Sequence, residues 1–256
     1  MRNQDTIWLL GSIAFDPVAQ GLCGLMSVTG KSIEEGGGGP VKAGPSLIDI
    51  ITGLYAVISI LAAVRQRELT GKGSDIDLSL LDCGVTIMAQ HFMHYFLTGT
   101  VPNPIGNGAN GGVPGGGYQC ADGMIMIAPG NDAGYARMCY ALGRPDLATD
   151  PRFVANQSRL AHKTELLAIL EPIYTSWKVA DLVAELVKHD VPCGPVNNVA
   201  EAAVDPQILS RGLMTAVATG RGPIRQVAGP IVINGSRMTS PLSPPALGDS
   251  DGQISW

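Results

Sequence analysis

The sequence predicts an α/β protein in two parts, and three observations carry that expectation. Apolar residues recur at helical spacing through several long stretches, short alternating or apolar runs stand between them, and a glycine- and proline-rich segment at 101–120 divides the chain. The part before it reads as α/β, and the part after it as a smaller α+β unit. The composition agrees with a folded chain: of 256 residues 45% are hydrophobic and 15% charged, with 17 Lys+Arg against 22 Asp+Glu. Whole-chain disorder is excluded by that balance, and mild acidity without a basic cluster argues against nucleic acid as a partner.

In chain order, 6–10 is a short apolar, strand-like run, and PVAQGLCGLMSVTG comes next with Ala19, Gly21, Gly24 and Ser27 small enough for close packing. Gly36, Gly39, Pro40 and Pro45 mark a loop. A helix then starts at Ser46 as N-cap, with Asp49 three residues on to complete a capping box, and ends past Arg65 and Arg67 at Gly71. Its apolar run, 47–64, is about as long as the shortest membrane spans, roughly 17 residues. It carries Asp49, Thr52, Gly53 and Ser59, so a buried helix in an α/β core is the expected explanation, and no membrane partner is expected. Alternation over 75–80 predicts a strand, and 82–97 a helix. Beyond the glycine segment, GMIMIAP reads as a strand, and 132–142 and 163–186 as helices, the latter with Leu166, Leu167, Leu170, Ile173, Trp177, Leu182, Val183 and Leu186 on its apolar faces. Pro192, Pro195 and Pro206 interrupt the section beyond 186, and the Pro/Ser/Gly-rich tail from Thr239 reads as an extended surface strap. The division expected is therefore 1–120, 121–215, and 216–256 returning toward the first part.

Asp49 is the candidate catalytic residue. A carboxylate in the first helical turn is oriented by free backbone N–H groups and the positive end of the dipole, and a positioned carboxylate can form an acyl intermediate. A cap and nothing more is the commoner role for such a residue. The glycines of 106–117 fit neither a P-loop nor a dinucleotide fingerprint; they permit close backbone approach to a ligand, or form a surface linker. His91 and His94 stand three apart without an acidic or cysteine partner, so no metal is expected. Cys23, Cys83, Cys120, Cys139 and Cys193 form no CxxC pair and read as reduced, mostly buried thiols of a cytoplasmic protein. Asp5 ahead of the first apolar residues makes a signal peptide a poor reading, and no GxSxG element supports a serine hydrolase.

The order of blocks is more specific than any one of them. FDPVAQGLCGLMSVTG, GPSLIDIITGLYAVISILAAVRQRELTGKG, the glycine loop before YQCADGMIMIAPGN, GRPDLATDPRFVANQSRLAHKTEL and VPCGPVNNVAEAAVDPQILSRGL together resemble the class III CoA-transferases, the formyl-CoA and carnitine-CoA transferase type, from about 15 to 247. The resemblance implies an incomplete Rossmann-like portion plus a smaller α+β domain, since the family's N-terminal part and extreme C-terminus are expected to be missing. It implies transfer of coenzyme A between an acyl-CoA and a carboxylic acid through aspartyl anhydride and aspartyl-CoA intermediates, coenzyme A being a substrate and no cofactor being tightly bound. It assigns Asp49 as nucleophile, Ala14, Phe15 and Asp16 to coenzyme A contact, and 110–117 as the loop over the aspartate, with Gly111 and Gly112 nearest the substrate and Gly115 and Gly116 in the same loop. Ile13 stands where a formyl-CoA transferase has a lysine. Racemases of the same fold use a histidine where this chain has Phe15, which favours the transferase; the racemase and a non-catalytic fragment or subunit are the alternatives. Relatives form interlocked dimers, so a second copy, or a subunit supplying the missing part, is the expected partner.

Overall fold

The computed structural model describes residues 15–31, 36–37, 39–108, 111–220, 222–240, 242–245 and 248. The strand expected at 6–10 and Ala14 lie outside them. The order is α1 (Asp16–Leu22), α2 (Leu25–Val28), α3 (Leu47–Thr70), α4 (Leu80–Ile87), α5 (Ala89–Thr98), β1 (Gly116–Gln119), β2 (Met124–Ile127), α6 (Asp132–Ala141), α7 (Pro145–Thr149), α8 (Asn156–Ala161), α9 (Lys163–Thr175), α10 (Val179–Lys188), β3 (Cys193–Pro195), α11 (Val199–Ala202), α12 (Pro206–Ser210), β4 (Met214–Val217), β5 (Ile224–Val227), β6 (Val232–Ile233) and β7 (Ser236–Arg237).

The larger core lies in the second half. β2 runs between β1 and β3, antiparallel to both, with Gly116 opposite Ile127 and Ile125 opposite Pro195. Alternation along β2 puts Ile125 and Ile127 fully inside and leaves Met126 exposed. Leu166, Leu170 and Tyr174 of α9 and Leu182 and Leu186 of α10 pack into the same cluster with Tyr135, Met138 and Phe153, so the apolar periodicity of 163–186 becomes two helices broken at Ser176–Lys178. The break is fixed by remote partners: Ala121 N donates to Trp177 O, and the Asp122 carboxylate accepts from Val179 N at the start of α10. β4–β5 and β6–β7 are two antiparallel hairpins, joined by the Arg237 guanidinium donating to Gly229 O and Arg211 O.

The first half is helical among the described residues. Ala19, Cys23, Ile48 and Met88 form its small buried cluster. Gly84 is what lets α4 approach, because a Cβ there would stand 3.0 Å from the Cys23 side chain. Three expectations fail here. Residues 75–79 pair with no strand among the described residues, and Leu80 already belongs to α4, since alternation creates a strand only where a neighbour supplies a ladder. The 82–97 helix is two helices with a break at Met88. Most consequentially, the apolar helix α3 is not buried: only Ile48 is enclosed, while Leu54 and Leu61 are 59% and 64% exposed.

Candidate active site

The start of α3 is built differently from the capping box that Ser46 and Asp49 suggested. Ser46 occupies the N-cap but makes no side-chain cap bond. The free N–H groups go to a carboxylate from α1: Asp16 Oδ2 accepts from Ile48 N at 2.7 Å and from Asp49 N at 3.2 Å. Asp16 is buried, and its other oxygen accepts from Gln20 Nε2, while Gln20 Oε1 accepts from Ala43 N at 2.8 Å. The local reason is that α1 and α3 meet at their N-terminal ends, so a charge deposited at one helix start answers the dipole of the other. Asp49 itself is exposed, and among the described residues no hydrogen bond or ion pair engages its carboxylate. The neighbouring Phe15 ring is exposed, its carbonyl accepting from Val18 N and Ala19 N.

The glycine loop has its own frame. Gly111 sits at φ +74, in the left-handed region that favours glycine, and its carbonyl accepts from Asn156 Nδ2 at 2.8 Å. Asn156 Oδ1 accepts from Val113 N, and Arg159 Nε donates to Val113 O at 2.6 Å. Arg159 is enclosed, with its remaining N–H groups on Phe153 O, Val154 O and Asp132 Oδ1. At the other margin Gly117 N donates to Asn107 O, and a Cβ on Gly117 would stand 3.0 Å from the Asn107 side chain. Gly112, Gly115 and Gly116 line two cavities: one of about 250 Å³ with Met126, Asn131 and Arg159, and one of about 750 Å³ with Thr29, Lys31, Lys163 and Glu171. Tyr118 borders the larger one. Burial and the Glu171 charge push its phenol well above the ordinary range, so it stays protonated and donates to Pro114 O.

The structure thus brings Asp16 and Asp49 together, and Gly111, Gly112, Gly115 and Gly116 together, while Asp49 lines neither cavity beside the loop. Among the described residues no group of three His, Cys, Asp or Glu is placed to hold a metal. Sequence reasoning missed Gln20, Asn156 and Arg159. Asn156 and Arg159 stand three apart on α8 in VANQSRL, a spacing that puts both on one face, but nothing in the sequence separates that face from an ordinary polar surface.

Comparison with known proteins decides the family, because the pattern of CoA-transferase family III matches residues 10–251. The chain belongs to CoA-transferase family III. Within it, this family III chain is 34% identical over 241 residues to a succinate–glutarate CoA-transferase of Agrobacterium fabrum, covering 94% of this chain and 59% of that protein. It is 34% identical over 223 residues to an acetyl-CoA:oxalate CoA-transferase of Acetobacter aceti, covering 87% and 55%. A CaiB/BaiF family protein from Brucella suis, solved by crystallography, superposes with a TM-score of 0.80 at 34% identity over 97% of this chain and 64% of that one. The family III chain therefore has the α/β fold of class III CoA-transferases, and spans somewhat more than half the length of the curated relatives it matches.

Proposed function

We propose that the protein transfers coenzyme A from an acyl-CoA to a carboxylic acid, with Asp49 as the nucleophile. The observation that carries this reading is an exposed carboxylate at a helix start, its own helix already capped by another residue, in a chain that the family pattern spans almost end to end. An Asp49 oxygen attacks the thioester carbonyl carbon, and the C–S bond breaks with its electron pair leaving on sulfur, giving a mixed anhydride and CoA thiolate. The thiolate attacks the aspartyl carbonyl of the anhydride, releasing the first acid as carboxylate and leaving aspartyl-CoA. The acceptor carboxylate repeats the attack in reverse order, so Asp49 is regenerated and no net proton or electron is exchanged. Little energy separates the two thioesters, and the protein's task is to position groups and stabilise the oxyanion.

Backbone N–H groups of the loop at Gly111, Gly112, Gly115 and Gly116 are the candidate oxyanion donors, and Phe15 and the backbone of Asp16, with Ala14 before them in the sequence, the candidate contacts of coenzyme A. A phenyl ring at Phe15 carries no proton, which supports thioester exchange over racemisation. The relatives named above act on succinate, glutarate and oxalate, so small dicarboxylates are the first donors and acceptors to try. The apolar surface of α3 supports a partner chain, a second copy or another subunit, and a cytoplasmic protein whose α3 is covered by protein: the family pattern includes α3 as part of its fold. The test is acyl-CoA with hydroxylamine, followed by peptide mass analysis. Asp49 is expected to be converted to a hydroxamate, and Asp49→Ala to abolish both trapping and exchange; an Asp49→Ala variant as active as the parent rejects the proposal.

A further inference from the structure

We infer that Asp16 is a positioning residue whose capping of α3 keeps the Asp49 carboxylate free to attack. This rests on the transferase reading above. A carboxylate at the third position of a helix ordinarily turns back onto the unpaired N–H groups of the first turn. Such bonds occupy the lone pairs that a nucleophile must present, and each weakens as charge leaves the oxygen. In this protein the Ile48 and Asp49 N–H groups of that turn are already taken by another carboxylate. Asp16 reaches from α1 to Ile48 N at 2.7 Å and Asp49 N at 3.2 Å, in a buried position, while the N-cap residue Ser46 contributes no side-chain bond. Asp16 is itself held in place, because Gln20 donates to its second oxygen and is in turn anchored on Ala43 N at 2.8 Å. The Asp49 carboxylate, by contrast, is exposed and without a partner among the described residues. The two aspartates divide two tasks that one residue would otherwise have to share: Asp16 satisfies the helix, and Asp49 offers its oxygen to the thioester carbon as the C–S bond breaks and sulfur leaves as thiolate.

The arrangement also dictates its own control. Asp16→Asn alone sets the new amide N–H₂ against the Gln20 N–H₂. Joined with Gln20→Glu, every bond returns: the introduced amide oxygen faces Ile48 N and Asp49 N, its N–H₂ donates to the carboxylate introduced at position 20, and the other oxygen of that carboxylate accepts from Ala43 N. Three proteins are therefore compared, the parent, Asp16→Ala, and the double variant. Two readouts are used: hydroxylamine trapping with kcat and KM for acyl-CoA, and labelling of Asp49 by a carbodiimide with glycine ethyl ester, which needs no turnover. In Asp16→Ala, trapping and kcat are expected to fall about a hundredfold, the scale of a misplaced reacting group, with KM within about threefold. Asp49 labelling is expected to slow about fivefold, and the double variant to recover most of both rates. A residue that only stabilised the fold would lower the melting temperature without changing the reactivity of Asp49 in the folded fraction.

Asp16→Ala trapping and labelling like the parent overturns the inference, as does a folded double variant in which Asp49 stays silent. If Asp16→Ala does not fold, the double variant decides alone. If the parent itself yields no hydroxamate, the transferase reading falls, and the labelling contrast still accepts or rejects the role of Asp16 in freeing Asp49.

Discussion

Arg159 shows what a buried cation demands of its surroundings. Its guanidinium is 2% exposed, donates to the carbonyls of Val113, Phe153 and Val154, pairs with Asp132 at 2.7 Å, and lies over the Tyr135 ring at 4.2 Å from the centroid. An exposed cluster such as Arg152 with Asp150 and Glu165 is screened by water and contributes little. Arg159 has no such relief, and its three carbonyl partners lose their donor if it is removed. Arg159→Met is expected to cost about 3 kcal/mol of stability in urea unfolding, and Arg159→Lys to recover little of it, because a point charge cannot reproduce the planar fork that reaches Val113 and Asp132 at once. Equal midpoints for the parent and Arg159→Met would contradict this account.

At the scale of an element, α3 is apolar all round over 50–64, and the hydroxyls of Thr52 and Ser59 return to its own backbone, to Ile48 O and Tyr55 O, both at 2.8 Å. Between the exposed Asp49 at its start and the charged turn 65–68 at its end, little on its outer surface attracts water. Leu54→Glu with Leu61→Glu, two turns apart on one exposed face, is expected to change unfolding by no more than about 0.5 kcal/mol each, the range of surface substitutions. In light scattering coupled to size exclusion, the same change is expected to convert an assembly into free chains; identical masses for the two proteins would contradict the covering partner. The span of α3 and its stop at Gly71 were legible from the sequence, because an apolar run and a left-handed glycine are local signals. Its burial was not legible, since an apolar face looks the same whether the same chain or another one covers it. Nor was its cap, because the carboxylate that supplies it stands 32 residues before Ile48.

Across the whole molecule, the apolar clusters are unequal. The second half encloses β2, α6, α9 and α10 around Ile125, Ile127, Met138 and Leu170, whereas among the described residues the first half encloses little apolar surface beyond Ala19, Cys23, Ile48, Cys83 and Met88. Hydrogen exchange of the chain by itself is therefore expected to proceed in two stages, with amides of α3 and α4 exchanging before those of α9 and α10; one common rate would show a single cooperative unit. The second half was also the more legible, its β2 alternation and its helical spacing at Leu166, Leu170, Leu182 and Leu186 all matching buried positions. The glycine loop was legible as a place and not as a structure, because its supports on α8 lie more than forty residues downstream. Those supports have a mechanical consequence. The loop is fastened at one margin to the first half, where Gly106 N donates to Gly30 O, and at the other to Arg159 of the second half through Val113 O. Breaking the second fastening strands a buried guanidinium, so a change in the gap between Thr29 and Lys163 has to be absorbed between those two pins. With both pins intact, the length of chain between Gly106 and Val113 limits how far the Thr29 and Lys163 sides of the cavity can separate.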